Sequence, residues 1–192
     1  MTAALILAAG SGTRMGGPKA QLLLAGQTLL QRAIEVAQAA GCDPVLAVVR
    51  DGEGGAAREK APGSPDAPVR LVPNPEAAEG MASSLRHGVA ALPPEAEAVL
   101  LLTVDQPAVD AALLRDLLAL AAREPRRPAA CAYAGTLGIP AVLPRRLFPD
   151  LLALRGDRGA KAILLREQAA ALPFPGGEAD LDTPEDLARI RR

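Results

Sequence analysis

Apolar positions along this chain fall into short unbroken runs, separated by stretches with helical spacing. Residues 3–9, 45–49 and 98–102 are continuous apolar runs of strand length. They lack a two-residue alternation of polarity, so each predicts a strand covered on both faces. Residues 29–40 instead place Leu29, Leu30, Ala33, Ile34 and Ala37 on one face of a helix, and Gly41 supplies its stop. Residues 83–91 and 111–122 also read as helices, with two short helices at 145–153 and 159–167. A last helix over 184–191 opens on Pro184, where the missing N–H costs nothing. Shorter strands are predicted at 69–72, 129–133 and 141–143, and residues 50–68, rich in Gly, Pro and Ala, read as loop. Strands alternating with helices predict the α/β class: a three-layer α/β/α arrangement around a mainly parallel sheet. With no internal repeat and no linker, residues 1–192 are expected to form one domain.

Composition narrows this picture. With 2% aromatic residues, the core has to be built from Leu, Val, Ile and Ala. A formal net charge of −1 provides no global field for nucleic acid or membrane surfaces, and neither is expected as a partner. Cys42 and Cys131 form no CxxC pair and read as two reduced thiols, so no disulfide framework or thiolate zinc site is expected. The apolar first residues lack a basic leader and no apolar run reaches 18 residues, which suits the buried first strand of a cytoplasmic protein.

Sheets of this kind bind ligands beyond the carboxyl ends of their strands. The loop after the first strand runs Leu7-Ala8-Ala9-Gly10-Ser11-Gly12-Thr13-Arg14-Met15-Gly16-Gly17-Pro18-Lys19. Its glycines let backbone N–H groups approach an anion, and Arg14 and Lys19 add two cations suited to a triphosphate. A P-loop is excluded because no Gly-Lys pair occurs, and the dinucleotide pattern GxGxxG fails at Met15. Asp105 follows the strand at 98–102 and is expected at the same sheet edge, where a carboxylate can hold Mg²⁺. Asp110 is better placed than Asp105 to cap the following helix. Asp180 and Asp182 share one side of an extended segment, and Thr183 before Pro184 reads as a helix N-cap. Gly80 permits close backbone approach, and Ser83 and Ser84 are either donors to a ligand or simple caps. No GxSxG surrounds these serines, so a serine nucleophile is not expected.

The segment LAAGSGTRMGGPK resembles the signature of the MobA-like NTP transferase superfamily, which includes sugar-phosphate, molybdenum-cofactor and isoprenoid nucleotidyltransferases. The resemblance implies a Rossmann-like sheet of the nucleotide-diphospho-sugar transferase type. It also implies that the loop, through Leu7, Ala8, Ala9, Gly10, Gly12, Arg14 and Lys19, wraps a nucleoside triphosphate. By the same resemblance Asp105 is a magnesium ligand and Asp182 or Asp180, in a DxDTPED motif, supplies the second metal contact. Asn74-Pro75…Gly80-Met81-Ala82-Ser83-Ser84-Leu85 looks like the base-holding NP…GM.SSL segment of molybdenum cofactor cytidylyltransferases, and Asp105-Gln106-Pro107 resembles that subfamily's DQP. Guanylyl-transferring relatives carry Gly where this chain has Ala9, which points to CTP. Arg155-Gly156-Asp157-Arg158 is similar to the subfamily's RGD segment and implies an acceptor site. Ile139 stands where the subfamily has a histidine, and this departure bears on the acceptor.

The resemblance therefore implies transfer of CMP from CTP to a molybdopterin-type phosphate, with Mg²⁺ as cofactor and Lys19, Arg14 and Asp105 as the catalytic set. A transient molybdoenzyme or chaperone partner fits the same reading. Kept beside it are a guanylyl or other nucleotidyltransferase acting on molybdopterin, a sugar phosphate or phospholactate, and a non-catalytic nucleotide or cofactor delivery module.

Overall fold

The computed structural model describes residues 1–10, 12, 17–52, 69–181, 183 and 186. In chain order the strands are β1 (Thr2–Leu7), β2 (Leu23–Leu24), β3 (Gln27–Thr28), β4 (Val45–Arg50), β5 (Arg70–Asn74), β6 (Ala98–Thr103), β7 (Ala129–Tyr133), β8 (Thr136–Pro144) and β9 (Ala170–Pro173). The α-helices are α1 (Leu29–Ala39), α2 (Met81–Ala90), α3 (Ala111–Arg123), α4 (Phe148–Leu152) and α5 (Lys161–Arg166). Seven strands form one sheet in the order β5-β4-β1-β6-β8-β7-β9, while β2 and β3 make a small separate hairpin. β1 pairs in parallel with β4 and β6, and β4 with β5. Only β8 runs against its neighbours, antiparallel to both β6 and β7, and β9 joins β7 in parallel. The chain is an α/β fold with a mostly parallel sheet, as the apolar runs predict.

Alternation along β1 shows how both sheet faces are filled. Ala4, Ile6 and Ala8 pack on one side with Leu29, Ile34 and Ala37 of α1 and Leu114 and Leu117 of α3. Ala3, Leu5 and Leu7 pack on the other with Leu85 of α2, Phe148 and Leu151 of α4, and Ile163 and Leu164 of α5. The residues best covered are small or branched aliphatics, so helices come close to the sheet. At Gly88 of α2 an added Cβ would stand 2.4 Å from a Leu5 methyl.

Local signals place the helix starts. Thr28 caps α1 in a reciprocal box with Gln31, and Asp110 caps α3 by accepting from the Leu113 N–H at 2.8 Å. Thr183 and Asp186 make the same kind of reciprocal pair, with the Thr183 N–H donating to Asp186 Oδ2 at 2.8 Å. The remainder of the helix expected at 184–191 lies outside the described residues, as do residues 53–68 of the expected loop.

Several elements differ from the sequence reading. α2 begins at Met81, two residues earlier than expected, because Gly80 takes a conformation (φ +122°) that ends the preceding turn and opens the helix. The short helix expected at 159–167 starts at Lys161, with Ala160 as its cap and no side-chain cap bond, so Asp157 does not cap it. β8 extends from Thr136 to Pro144 rather than over 141–143, and the β2–β3 hairpin and β9 were not expected at all.

Candidate active site

The connection leaving β1 goes to β4 on one side, and the chain returns to β6 on the other. Their carboxyl ends thus diverge at β1, with Leu7 opposite Thr103 in register, and a crevice opens there. A cleft of about 650 Å³ occupies it, lined among others by Ala9, Gly10, Lys19, Arg50, Asp105 and Asp157. That volume suits a nucleotide-sized ligand.

Two loops from distant parts of the chain meet across the cleft. Lys19, at the start of a short 3-10 turn, directs its Nζ to Asp105 Oδ2 at 3.0 Å, and both side chains are largely covered. The loop carrying Lys19 is closed at Gly12, whose φ is +55° and where a Cβ would fall 2.0 Å from the Gly17 carbonyl oxygen. Only glycine fits that turn. Arg14 and Asp182 lie outside the described residues. Asp180 is exposed, and the next residue, Leu181, is wholly buried and donates its N–H to the Asp105 carbonyl at 2.8 Å. The segment carrying Asp180 is therefore fastened to the loop that carries Asp105.

The opposite wall is the start of α2. Asn74 is 1% exposed and donates to Ser83 Oγ at 2.9 Å and Ser84 Oγ at 3.1 Å, while its own carbonyl accepts from the Glu76 N–H. Ser84 lines the cleft. Ser83, expected at the nucleotide, is instead fully buried and donates to the Gly80 carbonyl at 2.8 Å, because the early start of α2 turns it toward Asn74. Ala8 is likewise buried in the core, whereas Leu7, Ala9, Gly10, Gly12 and Gly80 reach the cleft.

The 155–158 segment docks onto this wall. The Ala82 N–H donates to the Gly156 carbonyl at 3.0 Å, and the Gly156 N–H donates to Glu79 Oε1 at 3.0 Å. Arg86 completes the clamp, donating to Glu79 and to the Leu154 carbonyl. The Arg86 guanidinium, followed by the Gly156 amide, holds the Glu79 carboxyl down at about 2. Of the four residues expected at an acceptor here, Asp157 lines the cleft, its carboxylate lying over Gly80. Arg155 instead folds back to donate to the Leu152 and Leu154 carbonyls. Gly156 is spent on the clamp and Arg158 is exposed outside the described lining. Ile139 packs against the apolar cluster, and its carbonyl accepts from the Tyr133 hydroxyl at 2.9 Å.

Arg50, at the end of β4, carries no motif and was not singled out from the sequence. It lines the cleft and donates from Nε to the Ala9 carbonyl at 3.2 Å. Its place at a carboxyl strand end beside the glycine loop is the signal that would have found it.

Asp105 and Asp180 carry hard carboxylate oxygens, the donor type that divalent cations such as Mg²⁺ accept. Among the described residues no three His, Cys, Asp or Glu side chains form a ready cage. Also among the described residues, no helix is long and apolar enough to cross a membrane.

Residues 4–171 match the MobA-like NTP transferase domain, and the chain belongs to that family of nucleotidyltransferases. It is 31% identical to nicotine blue oxidoreductase of Paenarthrobacter nicotinovorans, over 97% of this chain and 94% of that protein. It is 30% identical to the purine catabolism protein PucB of Bacillus subtilis, over 98% and 95% respectively. A probable molybdenum cofactor guanylyltransferase of Opitutus terrae is 36% identical over 60% of this chain and 53% of its own length. Among solved structures, Rv0371c of Mycobacterium tuberculosis superposes with a TM-score of 0.81 at 30% identity, covering 100% of this chain and 97% of that one. The same protein was also solved in complex with manganese (TM-score 0.77, 29% identity, 98% and 97% coverage), so divalent metal binding occurs within the fold.

Proposed function

We propose that this chain is a molybdenum cofactor cytidylyltransferase, a single domain acting in the cytoplasm that transfers CMP from CTP to the phosphate of molybdenum-bearing molybdopterin and releases pyrophosphate. The observation that carries the transferase chemistry is the Lys19–Asp105 pair, drawn at 3.0 Å from two loops across the cleft at the sheet's switch point. The molybdenum cofactor acceptor is supported by the relative named as a molybdenum cofactor guanylyltransferase. The choice of CTP rests on the Asn74–Leu85 and Asp105–Pro107 resemblances and on Ala9 at the cleft wall.

In this reading the acceptor's phosphate oxygen attacks the α-phosphorus in line, and pyrophosphate leaves. That nucleophile is already ionised near neutral pH, so no general base is needed. Catalysis is then positioning and charge stabilisation. Lys19, with Arg14 from the glycine loop, neutralises the α-phosphate and the departing pyrophosphate. Asp105, with Asp182 or Asp180, would hold Mg²⁺, which would supply Lewis-acid charge withdrawal to the reaction. Gly10 and Gly12 bring backbone close to the triphosphate, Gly80 and Ser84 face the base, and Asp157 faces the acceptor. A guanylyl reading stands second, favoured by the name of the Opitutus relative.

The deciding experiment is pyrophosphate release with Mg²⁺ and molybdenum-loaded molybdopterin, comparing CTP, GTP and ATP. Release with CTP alone is expected. Release with GTP alone replaces the base assignment and leaves the acceptor standing. No release with any triphosphate overturns the acceptor assignment.

A further inference from the structure

Among the described residues four polar side chains are buried, and three of them (Asn74, Ser83 and Ser84) bond to one another. The fourth, Gln106, is bonded to Thr103 of its own segment and to two distant segments. Its Nε2 donates to the Gly177 carbonyl at 3.1 Å and to the Tyr133 hydroxyl at 3.3 Å, and its Oε1 accepts from Thr103 Oγ1 at 3.4 Å. The Tyr133 hydroxyl in turn donates to the Ile139 carbonyl at 2.9 Å. The Tyr133 ring meets Phe174 edge-on, with centroids 6.0 Å apart, and Gly177 is so tightly held that a Cβ there would lie 2.4 Å from Phe174. Four residues further on, the Leu181 N–H donates to the Asp105 carbonyl.

We propose that Gln106, together with Tyr133, is a positioning residue that holds the segment from Gly177 to Leu181 against the loop of Asp105, so that Asp105 and Asp180 share one cation. This inference rests on the metal role assigned to those aspartates above. Burying an amide is costly unless its bonds are made. The amide spans the gap between the loop after β6 and the chain's return past β9, which have no strand pairing with each other. Fastening at Gly177 and at Leu181 leaves Asp180 in a short span with little freedom to drift.

The test uses the full chain carrying Gln106→Met, which keeps length and volume but loses both polar atoms, and separately Tyr133→Phe. Mn²⁺ binding is read from the electron paramagnetic resonance signal of the free ion, and backbone hydrogen exchange is read for the segment containing Leu181. Loss of a supporting partner around a metal site costs roughly tenfold or more in affinity. Gln106→Met is expected to weaken Mn²⁺ binding about tenfold, and Tyr133→Phe less. Exchange at Leu181 should quicken in both while that of β1 stays unchanged. Unaltered Mn²⁺ affinity in either folded variant, beside a wild type that binds the ion, overturns the positioning role alone. A wild type that binds no Mn²⁺ overturns the metal reading beneath it, and this inference with it.

Discussion

Lys19 and Asp105 are each other's partners in the structure, yet the proposed roles separate them. Asp105→Asn keeps the shape but removes the charge that orients a cation, and turnover should fall by about 10²-fold or more, the scale of losing one preorganised electrostatic contact. Pyrophosphate release by the folded variant, at saturating substrates, is the check, and turnover near that of the wild type would remove Asp105 from the machinery. Arg50 calls for a different outcome. Its guanidinium sits at the wall of the cleft and already bonds the Ala9 carbonyl, so it shapes the ground-state pocket. Arg50→Ala should raise the KM for the triphosphate about tenfold with kcat little changed, the pattern of lost uniform binding. An equal fall in kcat and kcat/KM would assign it to the transition state instead. The two residues also differ in how they could be read. Asp105 follows a continuous apolar run and stands in a recognisable tripeptide, whereas Arg50 ends a strand with nothing around it to mark it. Gln106 was visible only as part of that tripeptide, because its bonds go to residues 27 and 71 positions away.

Elements were legible where burial on both faces forces a continuous apolar run, as in β1, β4 and β6. They were not where an element borrows its stability from a neighbour. β9 is a four-residue edge strand of Ala and Leu ending in Pro173, without a β-branched residue, and it exists because β7 offers it an unpaired edge. The first half of β8 is only half-buried and was hidden for the same reason. Contact between elements also decides what a substitution does. Gly88→Ala should favour α2 by about 1 kcal/mol on helix propensity alone. The new Cβ would overlap Leu5, which is fully buried and has nowhere to go. Overpacking of this kind costs about 1–3 kcal/mol, so net destabilisation in urea is expected. A gain in stability would show that the helix can lift from the sheet. The clamp between α2 and the 154–157 loop adds a pH dependence. Glu79 has its folded pKa depressed to about 2. Its stabilisation is present above the ordinary carboxylate value and is lost as pH falls from there through about 2. Urea midpoints measured across that window should fall more steeply for the wild type than for Glu79→Gln, and equal slopes would mean that the clamp does not couple to folding.

At the scale of the molecule, the site is assembled by long-range closure. β1 and β6 set the crevice, α2 and the 154–157 loop form one wall, and the return of the chain past β9 brings the segment carrying Asp180 to the Asp105 loop. That last step depends on Leu181, which is wholly buried in the same cluster as α1 and α3 while its N–H holds the Asp105 carbonyl. Stability and metal affinity should be linked there and separable elsewhere. Leu114 is equally buried in the same cluster, but on α3 and away from the cleft lining described. Truncating either leucine to Ala should cost about 2–5 kcal/mol of unfolding free energy. Under native conditions only Leu181→Ala should also weaken Mn²⁺ binding, because only that cavity lies under the segment carrying Asp180. Comparing urea midpoints with Mn²⁺ titrations of both variants makes the distinction. If Leu114→Ala loses as much metal affinity as Leu181→Ala, affinity follows global stability, and the closing turn has no special hold on the site. If neither loses affinity while both lose stability, Asp105 carries the ion without help from the end of the chain.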